Sequence, residues 1–272
     1  MNKTRRTALK STRSSSANTT AERAINILLL FSEQKPVLTA QDVSQAFGVP
    51  RSTTYRYLKS LASTGLLAPS DNGDGGYRVG PRILELARIS RVGMATSPAE
   101  IALPVMKELV ASTGETALLA RLSGQHVVCI ERIDSPNPVR ISYERGQLLP
   151  LHAGASAKAL LAFLPEQRLS EALDEIPRSG TGRRTIDPAA LRKQLRTIQQ
   201  DGYAVTEGEV DRGVVGVAAP VFSSAGRAAG AAASLALVMP SFRAEGRTLT
   251  KLARQVTDAA EKITQRIIEL GV

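Results

Sequence analysis

Between Arg51 and Lys59 lie the residues whose types and spacing most directly suggest chemistry: Arg51, Ser52, Thr53, Tyr55, Arg56 and Lys59. On a helix of 3.6-residue period, Thr54, Leu58, Leu61 and Gly65 share one side, with Tyr57 at its edge. The opposite arc carries Ser52, Tyr55, Arg56, Lys59 and Ser60, and Arg51 and Thr53 stand in the first turn. Arginine can grip guanine through two parallel hydrogen bonds, while Ser, Thr, Tyr and Lys supply phosphate and base-edge contacts. A good bidentate base contact is worth about 1–3 kcal/mol of discrimination. The plain alternative is an amphipathic helix with a solvated polar face, and this stretch alone does not decide between them.

The flanking elements bear on that choice. Glu22 to Phe31 places Ala24, Ile27, Leu28 and Phe31 at helical spacing, which predicts a core-forming first helix. Thr39 opens a second helix, with Asp42 in capping-box position and Ala40, Val43 and Ala46 as its buried face. Gly48 suits the left-handed residue that ends a helix, and Pro50 suits the first turn of the next. After the third helix, Leu66-Leu67-Ala68 and Tyr77-Arg78-Val79 read as short strands joined by a turn-rich loop from Pro69 to Gly76. Three helices followed by such a hairpin define a winged helix-turn-helix, whose third helix enters the DNA major groove.

Charge agrees with that reading. Residues 1–97 hold 14 Lys and Arg against 6 Asp and Glu, whereas residues 98–272 hold 21 against 19. Residues 3–13 contribute five of the cations, and the first third stays net positive without them. The positive charge therefore gathers where phosphate binding requires it. Residues 1–20 are read as a flexible basic arm, which carries no apolar stretch of secretory type. No apolar run is long enough to span a bilayer, and a single cysteine, Cys129, permits no intrachain disulfide, so a cytoplasmic protein without a membrane partner is expected.

Beyond residue 80 the pattern changes. Arg82 to about Met94 predicts a helix carrying Ile83, Leu84, Leu86, Ala87 and Ile89. Ser97-Pro98 opens another, ended by Gly114. Strands are expected at Thr116–Leu122, Val127–Ile133 and Val139–Tyr143, then helices at Ala155–Phe163, Glu166–Asp174 and Pro188–Asp201. A hairpin of Val214–Phe222 with Arg227–Val238, turning at Ser223 to Gly226, precedes a closing helix from Gly246 to Leu270. Strands in blocks with helices on one face imply α+β.

The chain resembles the IclR family of transcriptional regulators. The resemblance rests on Glu22-Arg23-Ala24, on Gly48-Val49-Pro50-Arg51-Ser52-Thr53-Thr54-Tyr55-Arg56 and on Tyr77-Arg78-Val79-Gly80. It continues through Leu151 to Ala162, Gly202-Tyr203-Ala204-Val205 and Ala218-Ala219-Pro220-Val221-Phe222. The resemblance implies a winged helix-turn-helix over 21–80, a linker helix over 81–97 and a GAF-like effector-binding domain over 98–272. It also implies a homodimer or a dimer of dimers on a double-stranded operator, and a small organic or aromatic acid as effector. Carried over by position, Ala155 and Ser156 resemble amide donors, Thr206 or Glu207 the polar position after Gly-Tyr, and Gly216 and Ser234 pocket positions on two strands. The amides at the start of a helix near Ala155 and Ser156 are a physical reason for a carboxylate there. Two departures from the family pattern are Ala157, where many relatives have glycine, and the strand Ala231-Ala232-Ala233-Ser234-Leu235-Ala236, which often carries polar pocket residues; a pocket lined by alanine is roomier and less polar.

Other residues have plainer readings. His152 is taken as a structural hydrogen-bonder, Cys129 as a buried inert thiol, and Arg183 and Arg184 as surface charge. Glu207, Glu209 and Asp211 are taken as a solvated acidic loop beside the pocket, since no His or Cys lies near them in sequence. With no Gly-rich phosphate loop and no metal-ligand cluster, no catalytic residue, metal or cofactor is expected. The expected function is a ligand-responsive transcriptional regulator acting as a repressor. Two alternatives stay open: a metabolite-converting enzyme with an accessory DNA-binding domain, and a non-specific architectural nucleic-acid binder.

Overall fold

Thr19 and Glu22 cap one another's backbone amides and so fix the start of the first helix, α1 (Thr20–Leu28). In the computed structural model the described residues are 19–32, 35–71, 73, 75–89, 97–124, 126–141, 143–174, 187–245 and 249–271. The expectations for the arm at 1–18, for the linker helix over 90–96 and for Arg183 and Arg184 lie outside them. The chain divides into two compact units between residues 93 and 94.

In the first unit, α1 buries Ile27, with Ala24 and Leu28 partly buried and Phe31 beyond the helix end. Thr39 and Asp42 form the capping box of α2 (Ala40–Phe47), which ends at Gly48 with φ +63°. Ala40 and Val43 are buried, but Ala46 is exposed; Phe47, four residues after Val43, packs on the core in its place. Pro50 is the cap of α3 (Arg51–Ser63) and stands just outside its first turn. Thr54, Leu58 and Leu61 face the core, and Gly65 lies beyond the helix end. Strands β1 (Leu67–Pro69) and β2 (Tyr77–Val79) pair antiparallel, Leu67 opposite Val79. Leu66 precedes the strand, its carbonyl accepting from Gly80. Helix α4 (Arg82–Ile89) follows, with Leu84, Leu86 and Ile89 exposed.

The second unit opens with α5 (Pro98–Thr113), capped by Ser97 and Glu100 and ended by Gly114. Next come β3 (Thr116–Ser123), β4 (His126–Ile133), β5 (Leu148–Pro150), α6 (Ala155–Leu161), α7 (Glu166–Asp174), α8 (Pro188–Asp201), β6 (Ala204–Glu207), β7 (Val214–Phe222), β8 (Ala231–Pro240), α9 (Ser241–Ala244) and α10 (Leu249–Glu269). The sheet runs β5-β4-β3-β8-β7-β6, and every neighbouring pair is antiparallel. This is an α+β arrangement. Alternation sends Leu119, Val217, Leu235 and Leu237 to a core with α5 and α10. It sends Leu118, Ala218 and Ala236 to a second core with α6, α7 and α8. Helices thus cover both faces of the sheet, not one as expected, which is why β7 and β8 read as nearly unbroken apolar runs.

Two larger departures from expectation lie in the second unit. No strand forms among the described residues of 139–143. Gly146 N–H donates to the Cys129 carbonyl (2.7 Å) and Cys129 N–H to the Gln147 carbonyl (3.1 Å), so the seat beside β4 goes to the segment leading into β5. The second hairpin strand starts at Ala231, because Gly226 and Gly230, both at positive φ, bracket a 3₁₀ turn. The guanidinium of Arg227 there lies 5.1 Å from the ring centres of Phe163 and of Phe222. Among the described residues no helix is long and apolar enough to cross a membrane.

Leu235 is fully buried at the centre of the sheet. Leu235→Ala should lower unfolding stability by about 2–5 kcal/mol in urea denaturation. A loss under ~0.5 kcal/mol contradicts this packing.

Candidate functional site

Helix α3 is held from one side only. Thr54, Leu58 and Leu61 bind it to the core, and the capping of α2 fixes the turn before it. The carboxyl of Asp42 belongs to that cap. Partial burial raises its pKa, but hydrogen bonds from Lys35 and Thr39 outweigh burial and hold it below the usual carboxylate range. The outer face presents Arg51, Ser52, Tyr55, Arg56 and Lys59 to solvent, with Thr53 half-buried. Tyr55 is 54% exposed, a large ring that folding alone does not require there. Arg51 Nη2 donates to Gln41 Oε1 on α2 at 2.6 Å. All six predicted contact residues thus share one helix and its accessible side, apart from the half-covered Thr53. In the hairpin, Arg78 pairs with Asp71 at 3.2 Å.

The second unit holds an open pocket of about 470 Å³, a volume that includes space continuous with solvent. The sheet contributes Leu118, Thr206, Gly216 and Ala236, the start of α6 contributes Ala155 and Ser156, and the loop after β6 contributes Glu209, Val210 and Asp211. Gly216 makes this possible, because a Cβ there would sit 3.3 Å from the Ala155 Cβ and 3.4 Å from Thr206 Oγ1. The predicted residues Ala155, Ser156, Thr206 and Gly216 therefore meet in one cavity. Glu207 does not: alternation on β6 turns Thr206 inward and leaves Glu207 exposed. Ser234 does not line the pocket either. It has the same alternation as Ala236 but lies farther along β8, opposite Pro220, where its buried hydroxyl meets no hydrogen-bond partner among the described residues.

The acidic loop is more than a solvated segment. Glu209 accepts from Gly154 N–H at 3.0 Å and pairs with the buried Lys158 ammonium at 2.5 Å, which also donates to Gln194 at 2.9 Å. Asp211 accepts from the Tyr143 hydroxyl at 2.9 Å. Burial first, and Asp211 second, push the Tyr143 hydroxyl well above the ordinary phenol range, so it remains a donor. Tyr143 and Val210 are among the pocket residues that sequence reasoning missed, and Glu209 and Asp211, expected beside the pocket, belong to its lining. The two glycines bounding the loop, Gly208 and Gly213, both at positive φ, were its local signal. His152 is half-buried and its ring makes no hydrogen bond to the described residues, contrary to expectation. Burial lowers its pKa, and Glu209 pulls the other way. Cys129 is buried, its thiol pushed up to about 11 chiefly by burial.

A winged helix-turn-helix joined to a separate pocket-bearing α+β unit is the architecture of a ligand-linked DNA-binding regulator. The chain belongs to the IclR family of bacterial transcriptional regulators. Residues 20–71 match the IclR helix-turn-helix domain, and residues 95–265 match the bacterial transcriptional regulator IclR C-terminal domain. The chain is 32% identical over 257 residues to a probable transcriptional regulator, SauR, of Cupriavidus necator, covering 94% of this chain and 100% of that protein. It is 30% identical over 251 residues to the HTH-type transcriptional regulator KipR of Bacillus subtilis, covering 92% and 97%. Its fold is similar to an IclR homologue of Microbacterium hydrocarbonoxydans solved with 4-hydroxybenzoate, with TM-score 0.70, 27% identity and coverage of 90% and 97%.

Gly154 has φ +89° and ψ 154°, and a Cβ there would sit 2.8 Å from Val210 Cγ2. Gly154→Ala should therefore lower unfolding stability by about 1–3 kcal/mol. A variant as stable as wild type in the same denaturation contradicts the tight fit of α6 under the loop.

Proposed function

We propose that this chain is a ligand-responsive repressor that reads a double-stranded operator with α3 and binds a small organic or aromatic acid in the pocket of its second unit. The observation that carries the reading is the exposed cationic face of α3, where Arg51, Arg56 and Lys59 stand with Ser52, Thr53 and Tyr55. Arg51 and Arg56 are the candidates for base-edge contacts, and the hydroxyls and Lys59 for phosphates. The acid's carboxylate meets first-turn amides of α6 at Ala155 and Ser156, where no side chain caps the helix. The relative solved with 4-hydroxybenzoate supports an aromatic acid of that size.

The acid acts by binding one DNA-binding state better than the other. Two copies of the chain read two half-sites, and the exposed Leu84, Leu86 and Ile89 of α4, with Ile25 and Leu29 of α1, are apolar surface suited to a second copy. A dimer of dimers is compatible with this use of the surface. The reading is of a regulator acting on cytoplasmic DNA, not of an enzyme, in keeping with the names of its relatives.

The test uses DNA selected from a random pool by the full chain. Arg56→Ala should weaken binding to that DNA by about tenfold or more, as loss of one bidentate contact implies. Its unfolding midpoint should be unchanged, because Arg56 is exposed. Wild-type affinity for the selected DNA contradicts the assignment. Equal affinity of the wild-type chain for scrambled DNA favours a non-specific binder instead.

A further inference from the structure

The polar groups of the pocket are unevenly matched, and the mismatch describes a ligand. Ser156 and Thr206 are each more than nine-tenths buried, at 8% and 7% exposure, and both line the pocket. Neither hydroxyl is hydrogen-bonded to a described residue of the chain. The two hydroxyls open on the pocket, where a ligand or solvent atom is the partner left to them. The lining also carries two carboxylates, Glu209 and Asp211, and among its described residues no Lys, Arg or His.

The carboxylates differ in what they have left to accept. Both oxygens of Glu209 are engaged, one by Gly154 N–H and the other by Lys158. Asp211 accepts through Oδ2 from the Tyr143 hydroxyl alone, and its Oδ1 takes no hydrogen bond from a described group. Tyr143 has spent its single proton on this contact and cannot serve a second acceptor. A ligand beside Asp211 therefore meets an acceptor that carries negative charge. A second carboxylate on the ligand would be repelled there, and bare hydrocarbon would leave the oxygen unmet.

Resting on the acid-effector reading above, we propose that the effector is a monocarboxylate that also carries a hydrogen-bond donor, a hydroxyl or an ammonium, which it gives to Asp211. The hydroxyls of Ser156 and Thr206, each able to donate or accept, complete the polar contacts around it. Dicarboxylates and donor-free acids are the classes this arrangement disfavours. Because Asp211 stands at the solvent-exposed rim, the preference is moderate, about fivefold to tenfold for a charge-assisted contact of that kind.

The test is calorimetric titration of the full chain with two matched series. One is phenylacetate, mandelate and phenylglycine; the other is benzoate, 4-hydroxybenzoate and 4-(aminomethyl)benzoate. In at least one series a donor-bearing member should bind at least about fivefold tighter than its parent. Comparing its hydroxyl and ammonium arms shows which donor is used. Asp211→Ala should bring the affinity ratio of donor-bearing member to parent to about one, and Asp211→Asn, of the same size, should shrink it. Parents that bind as well as their donor-bearing partners, or a preference that survives in Asp211→Ala, overturn this inference and leave the acid-effector reading standing. If no acid of either series binds, the acid-effector reading itself fails, and this inference with it.

Discussion

A close approach between α6 and β7, eased by the absence of a side chain at residue 216, shapes the pocket of the second unit. Any Cβ at Gly216 would press on Ala155 and Thr206. With that contact in place, the start of α6 lies against the sheet, and the loop after β6 closes over it through Glu209 and Val210. The pocket is the space left between these three parts. Its walls are apolar where the sheet supplies Leu118, Ala236 and Val238, and polar where the loop supplies Glu209 and Asp211, the helix Ser156 and β6 Thr206. The seating of the helix and the chemistry facing a bound molecule therefore depend on the same close approach.

The first unit solves a different problem. A helix that is to enter a groove must be firmly seated while keeping one face bare. Burial of Thr54, Leu58 and Leu61 does the seating, and the reciprocal cap of Thr39 and Asp42 fixes the helix before it. The exposed polar face of α3 can then be kept without cost to the core. This separation explains why the exposed Tyr55 and the cations around it coexist with a small, well-packed apolar cluster.

Much of this was legible in the sequence, for identifiable reasons. Local rules are strong where a few adjacent residues decide the outcome. The Thr39–Asp42 spacing, Gly48 after α2, Ser97 before α5 and Gly202 after α8 all mark real boundaries. The face of α3 followed from period alone. What periodicity could not supply were contacts distant in sequence: Tyr143 and Asp211 are 68 residues apart, and nothing near either residue announces the other. The strand expected at 139–143 failed for a similar reason, since a turn from Glu144 to Gln147 gave its place beside β4 to later residues. On β6 a one-residue step separates a pocket residue from an exposed one, so Thr206 and Glu207 could be told apart only by register.

The central claim is that pocket and operator are thermodynamically linked, and linkage is reciprocal. The most direct measurement is the affinity of the full chain for a bound acid with and without saturating operator DNA. The account predicts that DNA weakens acid binding by the same factor, on the order of five- to 150-fold, by which the acid weakens DNA binding. Equal acid affinities in the presence and absence of DNA would contradict it.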